Sequence, residues 1–91
     1  MLQPVYTNHF KKDIALCKRR NYNIELFKNV ARLLVEEKPL PEKFKDHKLS
    51  GNFTNHRECH ISPDWLLIYC YNKRHTQVIF ERTGSHSDLF G

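Results

Sequence analysis

A histidine and an aspartate stand close together in the stretch RECHISPDWLLIY, where a polar segment meets the most apolar run of the chain. His60 precedes Asp64 by four residues, and Trp65 follows directly. Histidine suits proton transfer near neutral pH, because its unperturbed pKa of ~6.5 leaves both forms populated. The pair is therefore a candidate for general acid and base chemistry. The plainer interpretation is a polar turn between two strands.

The residues around this pair predict a hairpin that would hold it. HRECHI alternates, so Cys59 and Ile61 should face one side of a strand, and Glu58 and His60 the other. SPD turns the chain, and WLLIYCY is apolar on both parities, as in a central strand that is covered on both faces. NKRH makes the next turn, and TQVIFERT is a third strand. His60 and Asp64 would then lie at one rigid end of the hairpin, with His60 and Glu58 on an open sheet face that could bind RNA.

The first half of the chain predicts a short strand and two helices. Pro4 favours an extended conformation for LQPVY. Thr7 can cap a helix that runs to about Arg20, and Asn23 a second helix that runs to about Lys38. Their inner faces would contain Phe10, Ile14 and Cys17 in the first helix, and Phe27, Val30, Ala31 and Leu34 in the second. Two helices joined so closely should pack as an antiparallel pair.

Together these elements predict an α+β domain of two layers. It would contain the N-terminal strand, the helix pair, a mainly antiparallel sheet of about four strands, and a short C-terminal turn that Ser85 and Asp88 could cap. The 91 residues are enough for a single domain with one core. The polar segment PEKFKDHKLSGNF, between the helices and the sheet, is expected to be a connector.

Charge and cysteine content restrict the class of protein. The net charge of +5 favours polyanionic partners, of which nucleic acid is the commonest. The three cysteines, Cys17, Cys59 and Cys70, include no C-x-x-C pair, which indicates reduced and mostly buried thiols. No apolar run is long enough to cross a bilayer, and the start lacks the apolar stretch of a signal peptide. We therefore expect a cytoplasmic protein without a membrane partner.

Three blocks of the sequence together resemble one known family. FKDHKLSG (44–51), RECHISPDWLLIY (57–69) and FERTGSHSDLFG (80–91) have the order and spacing found in YafQ-type mRNA interferases of the RelE/ParE toxin superfamily. The resemblance implies a single RelE-like toxin domain over residues 1–91, from a bacterial type II toxin–antitoxin system. Such a toxin enters the A site of the 70S ribosome, contacts ribosomal RNA, and cleaves the translated mRNA. A cognate antitoxin would neutralise it, and the toxin would meet operator DNA only through that complex.

The resemblance also implies roles for individual residues. The matching catalytic positions are His47, His60, Asp64 and His86. Positions that match substrate contacts are Trp65, Phe90, Arg82 and Glu58, with Arg82 near the scissile phosphate. Glu58 stands where some relatives have aspartate. In such a family the basic residues of the first helix, Lys11, Lys12, Lys18 and Arg19, would bind ribosomal RNA phosphates.

The chemistry of RNA cleavage suits these residue types. Attack by the 2′-hydroxyl on phosphorus needs a base for the 2′-proton, an acid for the departing 5′-oxygen, and a donor or cation for the extra charge. Two histidines in opposite protonation states can divide the first two tasks, and Arg82 can supply the fixed charge. This reaction needs no metal and no cofactor.

Other interpretations of the same residues remain open. Asp64 could be only a turn residue, Trp65 a core residue, and Phe90 an anchor for the tail. Arg82 could form a surface ion pair with Glu81. The remaining histidines, His9, His56 and His75, are expected to be structural. At the level of the whole protein, His47, His60, Asp64 and His86 could instead form a metal site, or the chain could be a non-catalytic module that binds RNA or a partner protein.

Overall fold

The N-terminal half forms one strand and two helices, as the capping residues predict. The computed structural model describes residues 1–91 and has β1 at Gln3–Tyr6, α1 at Asn8–Arg19 and α2 at Ile24–Val35. The hydroxyl of Thr7 accepts a hydrogen bond from the backbone N–H of Phe10 at 3.0 Å. Both helices are therefore capped at their first turn, since the Asn23 side chain accepts likewise from the Glu25 N–H.

The second helix ends earlier than the sequence predicts. It stops at Val35, whereas the prediction extends it to about Lys38. Glu37 adopts the left-handed conformation with φ 57°, and Lys38 donates its N–H back to the Leu33 carbonyl. This closure terminates the helix before the prolines are reached. The Val35 carbonyl then accepts from Leu2, which ties the helix end to the start of β1.

The second half completes a five-stranded sheet. Its elements are β2 (His47–Lys48), β3 (Arg57–Ser62), β4 (Trp65–Tyr71), β5 (Gln77–Gly84) and α3 (His86–Phe90), with two short 3-10 turns at Glu42–Phe44 and Gly51–Phe53. The strand order is β1-β5-β4-β3-β2; β1 runs parallel to β5, and all other pairs are antiparallel. The predicted α+β architecture is confirmed. The strand count rises from about four to five because the expected connector contributes β2.

The helices cover one face of the sheet. α1 packs against β5 and α2 against β3. Val30, Phe80 and Leu67 are fully buried between the layers, and Phe10 contacts both Phe27 and Phe80. Complete burial of each such side chain stabilises the fold by roughly 1.5–3 kcal/mol, which makes this layer a rigid support.

The opposite face is less open than predicted. Leu66 and Ile68 of β4 face away from the helices, yet they are 2% and 0% exposed. Glu58, which we expected to project into solvent, is also buried, with 6% of its surface exposed. The accessible catalytic candidates on this side are His47 and His60. Instead of a broad open face, this side of the sheet therefore offers RNA an accessible surface near these two side chains.

Membrane and thiol features are simple. No helix has the length and apolar character needed to cross a membrane. All three cysteines are free; Cys17 and Cys59 are buried as predicted, whereas Cys70 is only half-buried. Burial raises the pKa of Cys17 to about 11 and that of Cys59 to about 12, so these two thiols remain protonated core groups.

Candidate active site

A buried carboxylate joins two histidines on the face away from the helices. Glu58 of β3 lies directly opposite His47 of β2 in the sheet register. Its Oε1 atom is 3.4 Å from Nε2 of His47 and 4.0 Å from Nε2 of His60. Its second oxygen, Oε2, is buried and has no hydrogen-bond partner. A buried carboxylate oxygen without a partner costs free energy, so this oxygen does not stabilise the fold.

The structure holds His47 firmly although it lies in the predicted connector. Its Nδ1 atom is 2.7 Å from the carbonyl oxygen of Lys45, which turns Nε2 toward Glu58. The preceding residue, Asp46, accepts hydrogen bonds from the Arg57 guanidinium, at 2.9 Å, and from the Tyr69 hydroxyl. These bonds to β3 and β4 anchor the segment that places His47.

Asp64 and His86 meet at the adjacent end of the sheet. Asp64 in the β3–β4 turn accepts a hydrogen bond from the backbone N–H of His86 at 3.3 Å. Its carboxylate therefore faces the first residue of α3, where negative charge favours a helix N-terminus. The His86 ring packs on Phe90, with ring centroids 5.1 Å apart, and His86 is exposed.

The cluster of His47, Glu58 and His60 and the pair of Asp64 and His86 are close in the sheet but are not joined by hydrogen bonds. Leu66 of β4 pairs with His60 on one side and with Gly84 on the other, and Gly84 precedes His86 by two residues. The predicted catalytic residues thus fall at one end of the sheet, with His47 and His60 on either side of Glu58 and with Asp64 paired with His86. No hydrogen bond or ion pair links His86 to His47 or His60.

Arg82 has a different partner from the one considered in the sequence. Its Nε and Nη2 atoms donate to Asp13 of α1 at 2.6 and 3.2 Å, while Glu81 faces His56. The same Asp13 carboxylate accepts from the Thr83 N–H, on the part of β5 that β1 does not cover. The hydrogen bond with Asp13 raises the pKa of Arg82, which keeps it charged. Its Nη1 atom has no hydrogen bond within the protein and could donate to a phosphate.

Trp65 is a core residue, as the alternative interpretation of the sequence has it, and is too buried for the substrate contact that the family resemblance implies. Trp65 is 2% exposed and belongs to the core beneath the helices, where it packs edge-on against Tyr22. Its indole N–H donates to the Thr83 hydroxyl at 2.8 Å, which satisfies the one polar atom of the ring. Trp65 is the first residue of β4 and its side chain points toward the helices, so it is buried although the neighbouring Asp64 is at the surface.

Phe90 remains accessible in the way that a substrate contact requires. It is 43% exposed and contacts the His86 ring on one side and Phe53 on the other. The ring therefore anchors the tail and also presents one face beside His86. Both roles considered in the sequence are compatible with this placement.

Comparison with known proteins identifies the family. The model of the YafQ family, the bacterial toxins of type II toxin–antitoxin systems, matches residues 2–91. The chain belongs to the YafQ family. The mRNA interferase toxin YafQ of Escherichia coli K12 is 38% identical over 87 residues, which cover 94% of this chain and 92% of that protein.

Solved structures agree with this assignment. The YafQ chain of the E. coli DinJ–YafQ toxin–antitoxin complex superimposes with a TM-score of 0.89 at 36% identity, covering 99% of this chain and 98% of the other. A metal-bound toxin from Helicobacter pylori gives a TM-score of 0.92 at 38% identity, covering 99% and 100%. The predicted toxin family and its fold are therefore confirmed.

Basic residues of this YafQ-family toxin lie on α1 and in a groove beside His60. The predicted cations of α1, Lys11, Lys12, Lys18 and Arg19, are all exposed. A groove of about 520 Å³ also runs beside His60, and Lys43 and Lys45 line it. Sequence reasoning missed these two lysines, although their position just before His47 in KFKDH could have indicated them.

The histidines of the candidate site do not form a metal-ligand cluster. The one group of three or more possible ligands whose donor atoms all lie within 4.8 Å of one another is His56, Cys70 and Glu81. None of these residues was selected from the sequence. The alternative of a metal site at His47, His60, Asp64 and His86 therefore has no support in the geometry.

Asp88 links the C-terminal helix of the toxin to α1, and this link should depend on pH. Its carboxylate accepts from the Arg20 guanidinium at 2.7 Å and from the Ser85 N–H, and these contacts lower the pKa of Asp88 to about 2. Because the folded pKa is depressed, the link contributes stability above pH ~4 that disappears as the pH falls toward 2. We expect Asp88→Asn to lower the free energy of unfolding at pH 7, and the difference to vanish near pH 2.

Urea denaturation of both proteins at pH 7, 4 and 2 measures this difference. Glu25→Gln is the matched control, because Glu25 forms only an exposed ion pair with Lys28 and its loss should change stability little. A difference between Asp88→Asn and the wild type that persists unchanged to pH 2 would show that the carboxylate charge is not the cause.

Proposed function

We propose that this toxin is a ribosome-dependent endoribonuclease that acts in the cytoplasm and cleaves translated mRNA in the A site. The observation that supports the proposal most directly is the buried Glu58 carboxylate between two accessible histidines, beside a third histidine at the end of the sheet. The E. coli relative is named an mRNA interferase, which is the same class of reaction. Imidazoles and carboxylates supply every proton transfer that RNA cleavage needs.

The proposed reaction uses the RNA itself as the nucleophile. The 2′-oxygen attacks the neighbouring phosphorus while one imidazole of the cluster accepts the 2′-proton. The bond from phosphorus to the 5′-oxygen breaks, and a second imidazole donates the proton that this oxygen needs to leave. The Glu58 carboxylate, 3.4 Å from His47 and 4.0 Å from His60, would orient both imidazoles, and Nη1 of Arg82 is free to donate to a phosphate oxygen.

The surface around the site suits a bound nucleic acid. The exposed cations of α1 would contact ribosomal RNA, and Lys43 and Lys45 in the groove beside His60 would contact the phosphates of the mRNA. Phe90 would stack on a base next to His86. These contacts fix the register of the message, so that the histidines face one phosphate.

We also infer a cognate antitoxin as the physiological inhibitor. The E. coli relative is known in complex with the antitoxin DinJ, and the two toxins share their fold over nearly the whole chain. A toxin of this family would then bind operator DNA only as part of the complex with its antitoxin.

Cleavage of a defined message on programmed ribosomes tests the proposal. We expect discrete cuts within codons when the message occupies the A site, and far slower cleavage of the same RNA without ribosomes. Primer extension on the translated message locates the new 5′ ends. Stalled translation with intact mRNA would contradict a nuclease and favour a non-catalytic binder. Because a related H. pylori toxin is metal-bound, the toxin alone is also treated with a chelator, which is removed before the ribosomes are added. Loss of cleavage by the metal-stripped toxin would contradict metal-independent chemistry.

A further inference from the structure

Three side chains with different ligand atoms converge outside the candidate active site. They are His56, which precedes β3, Cys70 of β4 and Glu81 of β5. All donor atoms of the three lie within 4.8 Å of one another, and His56 Nε2 is 3.1 Å from Glu81 Oε1. Each residue is half-buried, so the group is sheltered but accessible from solvent.

A β-bulge brings Glu81 to this position. Ile68 pairs with Arg82 and Tyr69 pairs with Phe80, so Glu81 has no opposite residue on β4. A bulged residue of this kind redirects its side chain relative to its neighbours. Tyr69 faces the helical layer, and Cys70 therefore faces the other side of the sheet, where it meets Glu81.

The imidazole of His56 is oriented as a metal ligand usually is. Its Nδ1 atom is 3.2 Å from the carbonyl oxygen of Thr54, and its Nε2 atom points at Glu81. Metal-binding histidines commonly donate the other ring N–H to a backbone carbonyl, which fixes the ring. The Phe53 ring packs edge-on against the imidazole, with centroids 5.8 Å apart, and restricts it further.

Both nitrogens of His56 thus face acceptor oxygens. Nδ1 lies near the Thr54 carbonyl and Nε2 near the Glu81 carboxylate, so contacts at both nitrogens hold the ring in place. A divalent cation bound to Nε2, the Cys70 sulfur and a Glu81 oxygen would release the thiol proton and displace any proton carried by Nε2, because metals bind the deprotonated ligands.

We propose that His56, Cys70 and Glu81 bind one borderline-soft divalent ion of the zinc class, with water at a fourth position. A nitrogen, a thiolate and a carboxylate suit zinc, whereas magnesium and calcium prefer oxygen ligands alone. Zinc bonds of roughly 2.0–2.3 Å place tetrahedral ligands about 3.3–3.7 Å apart, so a small closure of the present arrangement suffices.

This site is distinct from the proposed catalytic cluster. Cys70 lies two residues beyond Ile68 on β4, and Ile68 is the residue that pairs with Glu58. Residues two apart on one strand face the same side about 7 Å from each other, so the proposed metal site and the catalytic cluster are about that far apart along β4. Metal binding would fasten His56 and the preceding Phe53 to the sheet, and Phe53 contacts Phe90. The inference does not depend on the proposed nuclease activity.

Titration of the full 91-residue toxin with cobalt(II), under a reductant that is not a thiol, tests the site. We expect one equivalent to bind and to give the near-ultraviolet thiolate-to-cobalt absorption, which competing zinc removes. Loss of an outer-shell partner typically costs ~10–100-fold in affinity, so Cys70→Ser, which removes a direct ligand, should cost at least about 100-fold and abolish the absorption. His56→Gln and Glu81→Gln should weaken binding while Cys70 still gives the band at high cobalt.

Two matched variants keep the experiment specific. His75→Gln removes an exposed histidine that pairs with Glu37, and it should bind cobalt as the wild type does. His60→Gln should also bind as the wild type does; loss of binding in this variant would move the metal to the proposed catalytic cluster and overturn the proposal. Absence of a thiolate band in the wild type, or its persistence in Cys70→Ser, would overturn it as well.

Thermal unfolding separates metal binding from a simple change in stability. We expect zinc to raise the melting temperature of the wild type and of His75→Gln, and to leave that of Cys70→Ser unchanged. A Cys70→Ser protein that is less stable without metal but keeps the full zinc increment would contradict the proposal.

Discussion

Replacing His60 or His86 by alanine should lower the rate of mRNA cleavage by about 10²–10⁴-fold in each case. Neither imidazole makes a contact that stabilises the fold strongly enough to explain such a loss of rate. The only polar contact of the His60 side chain is Glu58 at 4.0 Å, and the His86 ring packs on the exposed Phe90. We therefore expect both variants to fold, to bind the antitoxin, and to fail to arrest growth.

Single-turnover cleavage on programmed ribosomes, with thermal unfolding in parallel, measures this effect. His75→Ala is the matched control, since His75 is an exposed histidine in an ion pair with Glu37 and lies outside the site. Its cleavage rate should equal that of the wild type. If the His60 and His86 variants still arrest growth at the wild-type level, the acid and base of this toxin are other residues.

Replacing Glu58 by glutamine should separate activity from stability. The substitution keeps the shape of the side chain but removes the charge beside His47 and His60. Without the carboxylate, the two imidazoles would be oriented less accurately, and a misplacement of catalytic groups by ~1 Å can cost on the order of a hundredfold in rate. We therefore expect the cleavage rate to fall at least a hundredfold. The free energy of unfolding should stay the same or rise, because burial of a carboxylate with an unpartnered oxygen is unfavourable.

Urea denaturation and the cleavage assay on the same preparation test both expected changes, the lower cleavage rate and the unchanged or higher free energy of unfolding. Glu25→Gln, an exposed carboxylate in an ion pair with Lys28, should leave stability and rate close to the wild type. A Glu58→Gln protein that is markedly less stable and fully active would mean that Glu58 supports the fold and does not position the histidines.

Local rules in the sequence predicted much of the architecture. The caps at Thr7 and Asn23, the alternation around Cys59, and the capping of the tail by Ser85 all depend on neighbouring residues, and the structure confirms them. The parallel pairing of β1 with β5 and the two-residue strand at His47 depend on distant parts of the chain. No local pattern indicates such contacts, and these are the features that the sequence analysis missed.

The same division applies to the candidate site. The family resemblance selected His60 and His86, which the structure places at one end of the sheet. It could not show that Glu58 is buried between His47 and His60, since alternation along a strand gives the face but not the depth of burial. Nor could it show that Glu81 turns toward Cys70, because that depends on an insertion in the pairing of β5 with β4.

The pairing of the first strand with the last has a consequence for the cell that makes this toxin. β1 pairs only with β5 in the sheet. Asp13 of α1 forms an ion pair with Arg82, and Arg20, which directly follows α1, forms one with Asp88. A ribosome adds ~5–20 residues per second, so the early segments wait for seconds before these partners exist. An unfinished chain consequently lacks both the pairing of β1 with β5 and His86, so we expect the complete fold and the candidate site to form only when synthesis is almost over.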